Sequence, residues 1–272
     1  MAEKDYVSYF SPKAYLQMYF STPGGNPNEP GVQSFELDRY HDFYSKYHMQ
    51  WDKSTAKILE FGGGPVISRL ISGVPYIKEV VFAAHTEEER KEVQKWRDAA
   101  DGSHNWDLFF QYVVNTLEHR EEEGFAWKER ENLLRNQIKK ITACDINKER
   151  PLESGVYKEE FDIIQTSLCL EAACQSFEEY KSAVQKLALM LKRGGFMVIL
   201  AVEEATFYCV DQRKWYCLPL SSSQIKDALQ DAGLEILEMH RDAAPPELLQ
   251  NPTVSDYKAV LFFIAKKPQQ LL

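Results

Sequence analysis

Five short runs rich in aliphatic residues recur along the chain, and each leads into a stretch with helical periodicity. They are AKILEFG (56–62), EVVFAAH (79–85), IKKITACD (138–145), FDIIQTSL (161–168) and GGFMVILAV (194–202). A strand that is apolar along its whole length needs cover on both faces. Helices that carry the chain back to the start of the next parallel strand supply that cover. Two further runs, LEILEMHR (234–241) and KAVLFFIAKK (258–267), are joined by a loop containing APP with little room for a crossover helix. They are expected to pair antiparallel. The expected fold is therefore α/β, a seven-stranded, mostly parallel, doubly wound sheet ending in an antiparallel hairpin. Ligands of such sheets sit at the carboxyl ends of the strands, near the switch in strand order.

The chain has 272 residues and no Gly/Ser linker, repeat or low-complexity tract, so it reads as a single domain, 1–272. Residues 1–50 are helical and aromatic and form an N-terminal cap, and the charged stretch 86–137 is a helical insertion. In SPKAYLQMYF, Ser11 caps a helix, Pro12 suits its first turn, and Tyr15 and Tyr19 share a face. That face either docks on the core or closes over a ligand. The net charge of −9 and the lack of a basic stripe argue against nucleic acid. No apolar run approaches membrane-spanning length, no secretory h-region is visible, and the five cysteines form no CxxC pair. These features point to a cytoplasmic chain with reduced thiols, and no metal site is indicated.

The first strand breaks into Gly62-Gly63-Gly64-Pro65, and VISRLI then begins a helix. Residues without Cβ permit unusual backbone angles and close approach, and a new helix offers unpaired N–H groups. The loop lacks the Gly-Lys-Ser/Thr of a phosphate-binding Walker loop. Ile67 occupies the third glycine position of the dinucleotide fingerprint, which argues against hydride transfer. A purely structural tight turn is the alternative.

ACDI (143–146), TSLCLEAAC (166–174), LKRGGFMVI (191–199) and the closing FFIAKK accompany this loop. With SPKAYLQMYF and FGGGP, they resemble the small-amine N-methyltransferase family of nicotinamide, indolethylamine and phenylethanolamine N-methyltransferases. The likeness runs from about residue 9 to 267. It implies the class I S-adenosylmethionine (SAM)-dependent methyltransferase fold, which is Rossmann-like, with SAM as cofactor, a small amine as substrate and a monomeric enzyme. On this resemblance Gly62 and Gly63 line the methionine and ribose parts of SAM, with Ser68 facing the same cavity. Asp145 accepts from the adenine amino group beside the Ile146 backbone, and Ser167 lies near the sulfonium. Asp145 is equally suited to capping the next turn. Tyr15, Phe20 and Tyr208 surround cofactor and substrate, with Phe20 in place of a family tyrosine. Glu60 matches an acidic position and is expected to orient the loop or the methionine amine.

Several positions depart from the family. The acid that receives the ribose hydroxyls is Ala84 here, a loss of roughly 1.5–3 kcal/mol if nothing replaces it. Glu89 is placed to substitute, although Thr86-x-x-Glu89 also reads as a capping box. Strand alternation is expected to turn His85 away. In the substrate region Ala201, Ala205 and Cys217 replace polar family positions, which argues against nicotinamide as acceptor. Glu203 and Glu204 are candidates to hold the amine, as is Tyr15 to position it, though adjacent glutamates are often simply solvated. Asp256 lies loosely near an acidic pair of the phenylethanolamine members. The leading expectation is a SAM-dependent N-methyltransferase. The competing one is a catalytically impaired protein that kept the fold as a binding scaffold.

Overall fold

In a computed structural model, which describes residues 3–153 and 160–269, the seven apolar runs join one sheet. Its strands are β1 (Lys57–Phe61), β2 (Glu79–Ala84), β3 (Ile138–Ala143), β4 (Phe161–Ser167), β5 (Leu191–Glu203), β8 (Glu235–Ala243) and β9 (Ala259–Lys266). Their order is β3-β2-β1-β4-β5-β9-β8. The pairs within β3-β2-β1-β4-β5 are parallel, whereas β9 runs antiparallel to both β5 and β8. The chain builds outward from β1 to β3 and then returns to the other side of β1 at β4. That reversal opens a crevice at the carboxyl ends of β1 and β4.

The near-continuous apolar runs are explained by two separate cores. Ile58, Val80, Phe82 and Ile163 face one layer, while Leu59, Val81, Ala83 and Ile164 face the other. Side-chain alternation along each strand distributes neighbours between them. The first layer is covered by α3 (Val32–Tyr47) and by α4 (Glu87–Arg97), α5 (Asp107–Gln111) and α6 (Ala126–Gln137). The second is covered by α8 (Phe177–Met190) and α9 (Ser222–Asp231), with the short α7 (Leu170–Ala173) before them.

Three local details differ from expectation. The segment after the glycines is a 3-10 helix, Ser68–Tyr76, rather than an α-helix. A separate hairpin, β6 (Phe207–Val210) and β7 (Arg213–Tyr216), follows β5. Its turn residues Asp211 and Gln212 both have positive φ, +50° and +62°, as a type I′ turn requires. The turn contains no glycine, so the usual sequence signal is missing. A five-residue helix, α10 (Pro246–Gln250), interrupts the loop between β8 and β9. Among the described residues, no helix is long and apolar enough to cross a membrane.

Candidate active site

The glycine bend, the end of β3 and the loop after β4 open onto one cavity of about 770 Å³. That is within the range of small-molecule sites. Gly62 to Gly64, Asp145, Ile146, Ser167, Glu89, Tyr15, Tyr208, Ala205 and Cys217 all line it, bringing most of the sequence-derived positions together.

The glycines are dictated first by the chain's own packing. Gly62 and Gly64 have φ of +72° and +63°. A Cβ on Gly62 would lie 2.2 Å from the Cys169 sulfur, and one on Gly63 would lie 1.7 Å from Arg69 Nη1. Arg69 is fully buried beneath the loop. It donates to Glu36 at 2.9 Å, to Glu60 at 3.0 Å and to the Gly63 carbonyl at 3.1 Å. Gln165 closes the cluster by donating to the other Glu60 oxygen at 2.6 Å. Burial opposes the charge on Arg69, but Glu36 and Glu60 outweigh it and hold its pKa above the ordinary value. Glu60 therefore orients the loop through Arg69. Leu168, next to Ser167, has φ +51°, a conformation costly for a branched side chain, and it too lines the cavity.

At the β3 end, Asp145 Oδ1 accepts from the Asn147 amide at 3.0 Å and so caps the following turn while facing the cavity. The capping reading holds, and the carboxylate stands in the cavity wall where the adenine reading requires it. Glu89 likewise caps a helix while lining the cavity. Its Oε2 accepts from the Thr86 amide at 2.8 Å in a full capping box, and its Oε1 accepts from the Tyr6 hydroxyl at 2.9 Å. Tyr6 belongs to α1 (Glu3–Tyr9), so the cap reaches across to the sheet. Burial raises the pKa of Glu89. His85 lines the cavity, contrary to the alternation argument, because β2 ends at Ala84 and the chain turns. Its Nδ1 lies 3.1 Å from the Cys144 carbonyl. Ser167 Oγ and the Tyr40 hydroxyl share a hydrogen bond of 2.9 Å.

The aromatic wall comes from α2 (Pro12–Tyr19) and the β6–β7 hairpin. Ser11 caps α2 as expected, accepting from the Ala14 amide at 3.2 Å. Tyr15 and Tyr19 pack with ring centroids 5.3 Å apart, and both line the cavity, as do Phe10, Tyr208 and Trp215. Burial drives the hydroxyl pKa values of Tyr6, Tyr15 and Tyr208 well above 10, so these groups stay neutral.

Seven expected positions do not reach the cavity. Ala201 packs in the opposite layer against Leu261, because alternation along β5 sends Val202, not Ala201, toward the site. Glu203 is held by Arg241 at 2.7 Å, and Glu204 leaves the strand at φ +53° to pair with Lys258. Phe20 is buried between Tyr15, Trp106 and Phe109 and fastens the cap to the insertion. Ser68 points inward from the 3-10 helix, fully buried. The Ala84 methyl is likewise enclosed. Asp256 instead pins the start of the hairpin, accepting from the Thr206 and Phe207 amides at 2.7 and 3.2 Å.

Three acids that sequence reasoning did not single out line the cavity: Glu179, which accepts from the Gln175 amide at 2.7 Å, and the buried Glu171 and Glu29. Glu171, inside SLCLEAAC, is 2% exposed and accepts from the Val202 amide at 3.2 Å. Burial pushes its pKa up to about 7. Glu29, in the loop between α2 and α3, is shifted in the same way. Only the SLCLEAAC segment gave any sign of Glu171, and nothing in the sequence marks Glu29.

The residues fit SAM in kind. Neutral tyrosines suit a sulfonium, Asp145 is an acceptor for an exocyclic amine, and Glu89 and His85 supply polar groups at the β2 end where Ala84 offers none.

The sequence matches the model of the NNMT/PNMT/TEMT family over residues 1–268. Rabbit (Oryctolagus cuniculus) indolethylamine N-methyltransferase is 27% identical, covering 97% of this chain and 95% of its own. Human nicotinamide N-methyltransferase is 28% identical over 85% of this chain and 84% of its own. Rat phenylethanolamine N-methyltransferase is 25% identical over 95% and 88%. Among solved structures, a SAM-dependent methyltransferase of Methanosarcina mazei superposes with TM-score 0.53 at 11% identity, covering 82% of this chain and 97% of its own. One from Clostridium acetobutylicum gives 0.51 at 12% identity, covering 86% and 92%. The sheet order matches expectation, the cavity lies at the topological switch, and the family match spans nearly the whole length, so the chain belongs to the NNMT/PNMT/TEMT family and is a SAM-dependent N-methyltransferase.

Proposed function

We propose that the protein methylates the neutral nitrogen of a small basic amine seated between Glu171 and the aromatic wall of Tyr15, Tyr208 and Trp215. The observation that carries this reading is the opening of the glycine bend, Asp145 and the buried Glu171 onto one cavity. Bound SAM supplies a methyl group on a positively charged sulfur. The nitrogen lone pair forms the new N–C bond as the C–S bond breaks and its electrons return to sulfur.

The chain has little acid–base work to do beyond delivering an unprotonated amine in line. Such positioning contributes about 7–11 kcal/mol to comparable reactions. Gly62, Gly63 and Ser167 line the donor side, Asp145 takes the adenine amine, and Glu89 with His85 serves the ribose in place of the missing acid. Tyrosines that remain neutral wall the nitrogen off from water and favour its cationic forms. Glu171, poised near pH 7 by burial, orients the amine and accepts a proton from it. Ala205 and Cys217 give the substrate end no strong polar partner for a carboxamide, so nicotinamide is expected to react poorly. The reading takes the chain as one catalytic unit with cap and insertion, monomeric and cytoplasmic.

Thermal unfolding with S-adenosylhomocysteine (SAH) tests it. Ligand at a hundred times its Kd adds about 2.7 kcal/mol and raises the midpoint. A screen with labelled SAM over mixed amines, thiols and phenols then reads the acceptor. No shift in the midpoint together with no labelled amine would sink the reading.

A further inference from the structure

Glu29 is a buried acid for which methyl transfer has no use. It is 6% exposed, and although Ser255 supplies a side-chain hydrogen bond to the carboxylate, its Oε1 is sealed from solvent without a partner. Among the described residues it makes no ion pair, whereas Glu36 and Glu60 share Arg69. Tyr15, Tyr19 and Tyr257 line the same part of the cavity and lie close enough to feel its charge. Leaving such an acceptor unpaired costs stability, and a neutral residue there would remove the cost. An acceptor-only group in a wall shared with neutral tyrosines is matched by a cation carrying N–H donors.

Glu171 occupies different surroundings. It stands on α7 with Oε1 bound to the Val202 amide at the end of β5, whereas Glu29 belongs to the loop between α2 and α3. Glu29 and Glu171 thus enter the cavity wall from different elements, apart from Glu89, which caps a helix, and Asp145, which caps a turn. We infer that Glu29 anchors a second cationic nitrogen of the substrate, so that the favoured class is a doubly basic amine, an aliphatic diamine or an amine bearing a guanidine. One nitrogen accepts the methyl group near Glu171 while the other is held by Glu29 under the tyrosines of the cap. This assignment rests on the methyl-transfer reading for which end reacts, but the anchoring itself is a binding property.

Calorimetry on the full chain saturated with SAH compares putrescine, cadaverine and agmatine with butylamine and pentylamine. A charge-assisted hydrogen bond to the second nitrogen predicts that at least one doubly basic amine binds roughly ten- to a hundredfold tighter than its monoamine counterpart. Glu29→Gln keeps the shape, removes a buried charge that has no ion-pair partner among the described residues and is expected to unfold no earlier than the wild type, and it should bring that ratio close to one. Ratios near one in the wild type, or a preference that Glu29→Gln leaves in place, overturn the inference. SAH is titrated first. If it fails to bind, the methyl-transfer reading falls, and the same amine comparison without it decides the role of Glu29 alone.

Discussion

Replacing Gly63 by alanine separates the two possible reasons for a triple glycine. Gly63 does not adopt a left-handed backbone, so alanine is not excluded by φ. The obstacle is steric: the added methyl would sit 1.7 Å from Arg69 Nη1 and 2.7 Å from Glu60 Oε1. Arg69 cannot swing aside, since its guanidinium is fully buried and bonded to Glu36, Glu60 and the Gly63 carbonyl. Breaking a buried pair by displacing one member costs about 3–5 kcal/mol, against a total stability of about 5–15 kcal/mol for native domains. Taking about 2–4 °C per kcal/mol, the thermal midpoint should fall by roughly 6–20 °C. Gly64→Ala is the control. Its φ of +63° is unfavourable, but the nearest atoms lie at ordinary contact, 3.7 and 3.8 Å, so about 1–2 kcal/mol of backbone strain is expected. Urea unfolding of ligand-free protein measures both. Should Gly63→Ala prove as stable as the wild type, or milder than Gly64→Ala, the packing explanation fails and ligand approach alone must account for the glycine.

Three other substitutions or conditions test the site. Glu171→Gln should lower kcat/KM for the accepted amine by roughly ten- to a hundredfold, the worth of a charged hydrogen bond, with SAH affinity little changed by calorimetry; equal activity would remove Glu171 from amine binding. Glu89→Gln keeps a residue able to cap the helix but loses its charge, so weaker SAH binding with an unchanged midpoint is the signature of a ribose contact, and unchanged affinity would leave it a cap alone. Burial raises Glu29 and Glu171 from 4.5 to about 7 in the folded state. Their contribution to stability is therefore full below pH 4.5 and is lost as pH rises through 7, about 3 kcal/mol for each. Unfolding free energies from pH 5 to 8 should show this slope, and Glu171→Gln should flatten it by one proton; an identical slope in the variant would show that Glu171 ionises normally.

The sheet was legible because burial on both faces writes itself as unbroken apolar runs, and the APP loop left room only for a hairpin turn-back. The meeting of the glycine bend and Asp145 at one cavity was legible for a similar reason: glycine and aspartate at strand ends are local features. The substrate side was not, since it depends on single-residue phase. One step along β5 exchanges Ala201 for Val202, and a 3-10 rather than α-helical start turns Ser68 inward. The hairpin that carries Tyr208 and Trp215 turns on Asp211-Gln212, a pair with no glycine to announce it. Glu29 sits in NPNEPG, a string that reads as exposed loop until the cap folds over it.

The bond from Tyr6 to Glu89 ties the first helix to the start of α4 at the cavity wall. A ribose hydroxyl that seeks Glu89 competes for the oxygen that keeps the first helix latched. On the proposed ribose contact, cofactor binding and the seating of the first helix would be coupled through that one carboxylate, by a phenol more than eighty positions away in sequence.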